Sequence, residues 1–178
     1  MGKRYKLIIL NLIIFVVILI LFGFSRVNNN VLLIVNGEKI RKEEYDFLSS
    51  CPMQYIDSYE DEKYDLNTRK ILLTRAEQIL LKESGIIEDY SYDKFLEQLT
   101  KENEKRKEAI ENNQAIYGPK QYDKKVYFDY YYSECRNYYV DTILSNSNNA
   151  DQDSKKLDRM YEEILLSKVK AFQVIKNN

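Results

Sequence analysis

Residues 31–45 read Val-Leu-Leu-Ile-Val-Asn-Gly-Glu-Lys-Ile-Arg-Lys-Glu-Glu-Tyr. Five β-branched or leucine residues followed by Asn36-Gly37 predict a strand running into a tight turn, because Asn-Gly is the strongest short hairpin signal. Glu38 to Ile40 can return as a second short strand. Arg41 then opens a helical stretch carrying Tyr45, Phe47 and Leu48 until Pro52 interrupts it. At the other end, residues 171–175 (Ala-Phe-Gln-Val-Ile) alternate as a short strand does. Their natural partner is the 31–35 strand, which otherwise exposes an apolar edge.

Between these strands the chain reads as helix. Residues 53–65 are polar, acidic and tyrosine-bearing, a connector. After Asn67 or Thr68 as cap, Leu72, Leu73, Ala76, Ile79 and Leu80 repeat at helical spacing, and Gly85 suits the C′ stop with Ile86 as its apolar contact. Ser91 caps the next helix, whose apolar face is Tyr92, Phe95, Leu96 and Leu99. Residues 101–108 hold seven charges and Asn103. They read as a solvated arm projecting beyond the core, supported locally by Glu102 and Arg106 at i, i+4. The helix from Tyr122 to about Ser145 follows. Residues 117–139 contain eight of the sixteen tyrosines. Phe128, Tyr132, Cys135, Tyr139 and Ile143 trace one buried stripe, whereas Tyr127, Tyr130, Tyr131 and Tyr138 fall largely outside it. A buried face needs only about 100° of arc, so this second group is a candidate binding surface of rigid, amphipathic rings. A polar loop at 146–153 leads to a last helix bearing Leu157, Met160, Tyr161, Ile164 and Leu165.

The first thirty residues are different. Residues 7–24 are apolar except for Asn11 and Gly23, about the minimum length for a hydrocarbon core of ~30 Å. Lys3, Arg4 and Lys6 precede the run, and only Arg26 follows closely. This bias predicts a single-pass anchor in the cell membrane with a cytoplasmic N-terminus and an extracytoplasmic body. Gly23 and Ser25 also sit where a signal peptidase would read them, so a cleaved, secreted form is the alternative. The domain reading is a signal anchor at 1–25 and an extracytoplasmic helical domain at 26–178. Cys51 and Cys135 then occupy a compartment where a disulfide can persist, and they offer one intramolecular pairing; two small, half-buried apolar residues are the other reading.

Composition excludes much. With no histidine, the chain cannot build a Ser-His-Asp triad, a Cys-His pair or an imidazole base. Two cysteines are too few for a structural zinc site, and five glycines hold no phosphate-cradling loop. No metal or other cofactor is expected. Setting aside the three N-terminal cations, 24 basic residues face 28 acidic ones, a poor match for nucleic acid. Acidic groups such as Asp57, Glu60, Asp61 and Glu62 read as a solvated loop, and no enzymatic activity is expected.

The motif Val35, Asn36, Gly37, Ile40, Tyr45 resembles the opening of the SurA/PrsA-type extracytoplasmic chaperones. Their module begins with a strand, a VNG-type turn, an isoleucine and an acidic-aromatic helix start. The order that follows, a leucine-rich helix ending at Gly85 and then a charged helix, is similar too. The resemblance implies a mainly α module of the SurA N-terminal and trigger-factor C-terminal kind, with a short strand pair joining its ends, that binds unfolded or extended polypeptides without ATP. The family's parvulin domain has no room here, so prolyl isomerase activity is not expected. The functional expectation is therefore a membrane-anchored holdase using Tyr127, Tyr130, Tyr131 and Tyr138. The alternative is a bitopic adaptor docking one specific partner through the tyrosine-rich helix.

Overall fold

The computed structural model describes residues 30–53, 55–144 and 154–177. It is mainly helical, with one small three-stranded sheet. The described chain divides into two units, residues 30–45 with 173–177, and residues 46–172. Residues 7–24 and the Ser25 cleavage position lie outside the described residues, as does the 146–153 loop. Among the described residues no helix is long and apolar enough to cross a membrane.

The first unit is the sheet, in the order β2-β1-β3. Strand β1 (Val31–Val35) turns into β2 (Glu38–Arg41) through Asn36 and Gly37, both at positive φ (50° and 84°), as a two-residue hairpin requires. Val31, Leu33 and Val35 are buried along one side of β1, and Ile40, opposite Leu33, is fully buried. Strand β3 (Val174–Lys176) pairs antiparallel with β1, placing Ile175 against Ile34 and Val174 against Val35. The two chain ends are thus joined, but the partner strand starts later than its alternating pattern predicts. Ala171 and Phe172 donate their N–H groups to Lys168 and Val169, closing the preceding helix instead of extending the sheet. Asn36 locks the junction: its N–H donates to the Gln173 carbonyl and its side chain accepts from the Gln173 N–H, each at 2.9 Å.

Helix α1 (Lys42–Ser50) leads into the second unit. The connector after it is no loose loop, because Met53, Tyr55 and Tyr59 are buried. Helix α2 (Leu66–Glu83) is capped by Asp65, upstream of the predicted cap. The carboxylate accepts from the Thr68 N–H at 2.9 Å and from its hydroxyl at 3.1 Å. Its end follows the Schellman pattern: Gly85 (φ 72°) donates to Lys82 and Ile86 donates to Leu81. This helix is buried nearly all round, including Arg75, Glu77 and Gln78, while Ile79 is only half-buried.

Helix α3 (Tyr92–Glu111) starts at Ser91, whose hydroxyl accepts from the Lys94 N–H. Helix α4 (Lys124–Tyr138) starts at Asp123 and continues as a π-helical turn over Tyr139–Leu144. That turn spaces residues by five rather than four. Leu144 accordingly takes the buried place after Tyr139, and Ile143, the predicted position, is half-buried. Helix α5 (Ser154–Lys170) buries Leu157, Tyr161, Leu165 and Val169, and packs on α2.

Candidate functional site

Aromatic rings fuse α3 and α4. Phe47, Phe95 and Phe128 meet with centroids 5.4–5.5 Å apart, and Tyr127 stacks on Phe95 at 5.8 Å. Outward from this knot, Tyr127 touches Tyr122 and Tyr131, and Tyr122 stacks on Tyr130 at 5.5 Å with the planes only 16° apart. The result is a ladder of tyrosines running from the core to the surface.

The four candidate rings therefore do not share one exposed face. Tyr127 is buried at 6% exposure, and burial pushes its hydroxyl pKa up to about 12. It belongs to the core, because α3 lays Phe95 over the side of α4 that was expected to face solvent. Tyr131 is half-buried, its hydroxyl accepting a long 3.5 Å bond from Gln98. Tyr130 and Tyr138 are exposed. Of the stripe assigned to the core, Phe128, Tyr132 and Tyr139 are buried and Cys135 is half-buried.

The charged end of α3 does not stand as a bare solvated arm. The loop after it folds back, and two side chains of the charged run hold it there. Asn103 grips the Tyr122 backbone in both directions, accepting from its N–H at 2.8 Å and donating to its carbonyl at 3.0 Å. Arg106 pairs with Glu102 at 2.9 Å, as the spacing predicts. It also donates to the carbonyls of Tyr117 and Pro119, each at 2.8 Å, and to the Tyr122 hydroxyl at 3.1 Å, with its guanidinium 4.2 Å from the Tyr122 ring centre. Gly118, at φ 79°, allows the reversal. This bracing presents Tyr117 at 93% exposure. Beside it lies an open trough of about 570 Å³ between one face of α3 and Lys120-Gln121. The sequence offered one signal for this arrangement, a single uncharged Asn103 in a run of seven charges.

A buried polar cluster at the heart of the unit was not foreseen. Glu77, 2% exposed, accepts from Arg136 Nε at 2.7 Å and from the Tyr161 hydroxyl at 2.8 Å on the same oxygen. Gln78 accepts from Arg75 at 2.7 Å and donates to the Tyr132 hydroxyl at 2.9 Å. Burial and then the Glu77 charge push the Tyr161 hydroxyl pKa well above its usual value. These bonds tie α2 to α4 and α5, a structural duty.

Cys51 and Cys135 are free thiols, so the disulfide is not formed. Cys51 is buried and donates to the Phe47 carbonyl at 3.4 Å, while Cys135 lies within reach of Tyr131. Burial raises both pKa values to about 11, which keeps the thiols protonated and poorly reactive at neutral pH. Of the motif residues, Val35 and Ile40 are buried, Asn36 and Gly37 form the turn, and Tyr45 is half-buried. Among the described residues no group of three or more acidic or cysteine side chains is placed to hold a metal.

No protein-family model matches the chain, and no curated protein or solved structure matches it either. The likeness to SurA/PrsA-type chaperones rests on the hairpin residues and the order of elements.

Proposed function

We propose that this protein is a membrane-anchored, extracytoplasmic holdase that binds unfolded or extended polypeptides without ATP, with residues 7–24 in the bilayer and the N-terminus in the cytoplasm. The observation that carries the reading is the exposure of Tyr117, Tyr130 and Tyr138 on a unit whose interior is otherwise closed by aromatic packing. Exposed rings rimmed by charge give many weak, interchangeable contacts, as promiscuous binding requires. The VNG hairpin with its acidic-aromatic helix start supports the same reading by resemblance.

A dedicated adaptor is the second reading, and the bracing of Tyr117 favours it. A rigid aromatic tip loses little entropy on docking and suits one partner. A photo-crosslinker placed at position 130 in cells separates the two. The holdase captures many extended polypeptides, in yields that rise on heat stress. Capture of one protein in fixed ratio, unchanged by stress, would establish the adaptor instead.

A further inference from the structure

We infer that the trough beside α3 is the seat of an extended, uncharged segment of client polypeptide about five residues long; this rests on the holdase reading and names its binding site. One wall is a single helix face, Thr100, Glu104, Lys107 and Glu111, which at 1.5 Å per residue runs about 16 Å. A strand covers that length with about five residues. Depth decides the conformation of the guest. A helix of this length and 10–12 Å diameter, sunk to half its depth, takes roughly 650–900 Å³, more than the 570 Å³ present. A strand sunk to half its thickness takes roughly 400 Å³ and fits.

Charge and chemistry agree with that guest. Along the helix wall acid, base and acid alternate, and Lys120 faces them from the loop. The four charges sum to zero, so the complementary segment carries no net charge. Ile110, 39% exposed, supplies apolar surface for one side chain of the guest. The opposite wall is already organised by Asn103 and Arg106, so closing on a client costs little ordering. The trough thus reads backbone and one apolar side chain, the part of an unfolded chain common to all clients.

The test uses the full 178-residue chain in phosphatidylcholine nanodiscs. The probe is fluorescein-labelled α-lactalbumin, reduced and carbamidomethylated so that it stays unfolded, followed by anisotropy. Ile110→Asp puts a charge on the trough's apolar surface, and Lys120→Trp fills it from the loop side; each should weaken binding at least tenfold while the circular dichroism spectrum is unchanged. Binding by the parent chain that neither variant weakens would overturn the trough and leave the holdase reading standing. No binding by the parent chain would overturn both. A parent chain that is dimeric by light scattering, and made monomeric by Ile110→Asp, would show that a second copy occupies the trough, and would overturn the client assignment.

Discussion

Glu77 sits in the middle of a helix that is buried on nearly every side, and its charge is held by one arginine and one tyrosine. Removing one partner of a buried pair leaves the other charge uncompensated, a loss of about 3–5 kcal/mol. Glu77→Gln should therefore cost that much in urea unfolding of the protein, and a loss below about 1 kcal/mol would mean that Arg136 is adequately solvated on its own. The tyrosines give a second check. Burial holds the Tyr55 and Tyr127 hydroxyls up to about 12, against about 10 in the unfolded chain. Above pH 10 the unfolded state releases protons that the folded state keeps. Stability is then complete below pH 10 and falls as pH rises towards 12. The tyrosinate absorbance at 295 nm should show a late phase near pH 12 coincident with unfolding. A single phase near pH 10 with the fold intact would contradict the burial of these rings. At this scale the sequence was partly legible. Tyr161 and Phe128 announce their burial by spacing, but Arg75, Glu77 and Gln78 do not. A charged residue on an apolar-striped helix looks like its solvated face until the partners that satisfy it, 59 and 84 positions away for Glu77, are known.

Among the elements, α4 shows where helical spacing reaches its limit. Position along the helix says which residues share a face, but not how many faces neighbours cover. Both the predicted stripe and Tyr127 are buried because α4 is covered over a wide arc, and only Tyr130 and Tyr138 of the candidate set remain exposed. Tyr127→Ser should consequently destabilise the protein by about 3 kcal/mol, as loss of a packed core ring does. Tyr130→Ser gives up only its stacking on Tyr122 and should cost about 1 kcal/mol or less. Thermal unfolding of the two variants checks this, and equal losses would mean that α4 is enclosed on all sides. Local signals performed better. Ser91 and Gly85 mark their helix ends because each acts on backbone groups within a few residues of itself. The cap moved from Asn67 or Thr68 to Asp65 by the same rule, since Thr68 supplies the donors and Asp65 the acceptor. The π-helical turn at Tyr139–Leu144 had no such marker.

At the scale of the molecule, the joining of the chain ends was legible because a bare apolar strand at residue 31 demands a partner, and residues 171–175 supplied the matching alternation. The turn-back of the loop over α3 was not, since it depends on Asn103 and Arg106 meeting carbonyls 10–20 residues away. That loop turns a plain charged helix into a walled trough with an exposed tyrosine at its rim. The account as a whole stands on the capacity of this surface to hold unfolded chains. Light scattering from a heat-denatured test enzyme, citrate synthase, with the full chain in nanodiscs and no nucleotide present, measures that capacity directly. The account predicts that scattering is suppressed in proportion to the protein added, and that Tyr130→Ser with Ile110→Asp removes most of the effect. Scattering that rises as in empty nanodiscs, at every ratio of protein to enzyme, would contradict it.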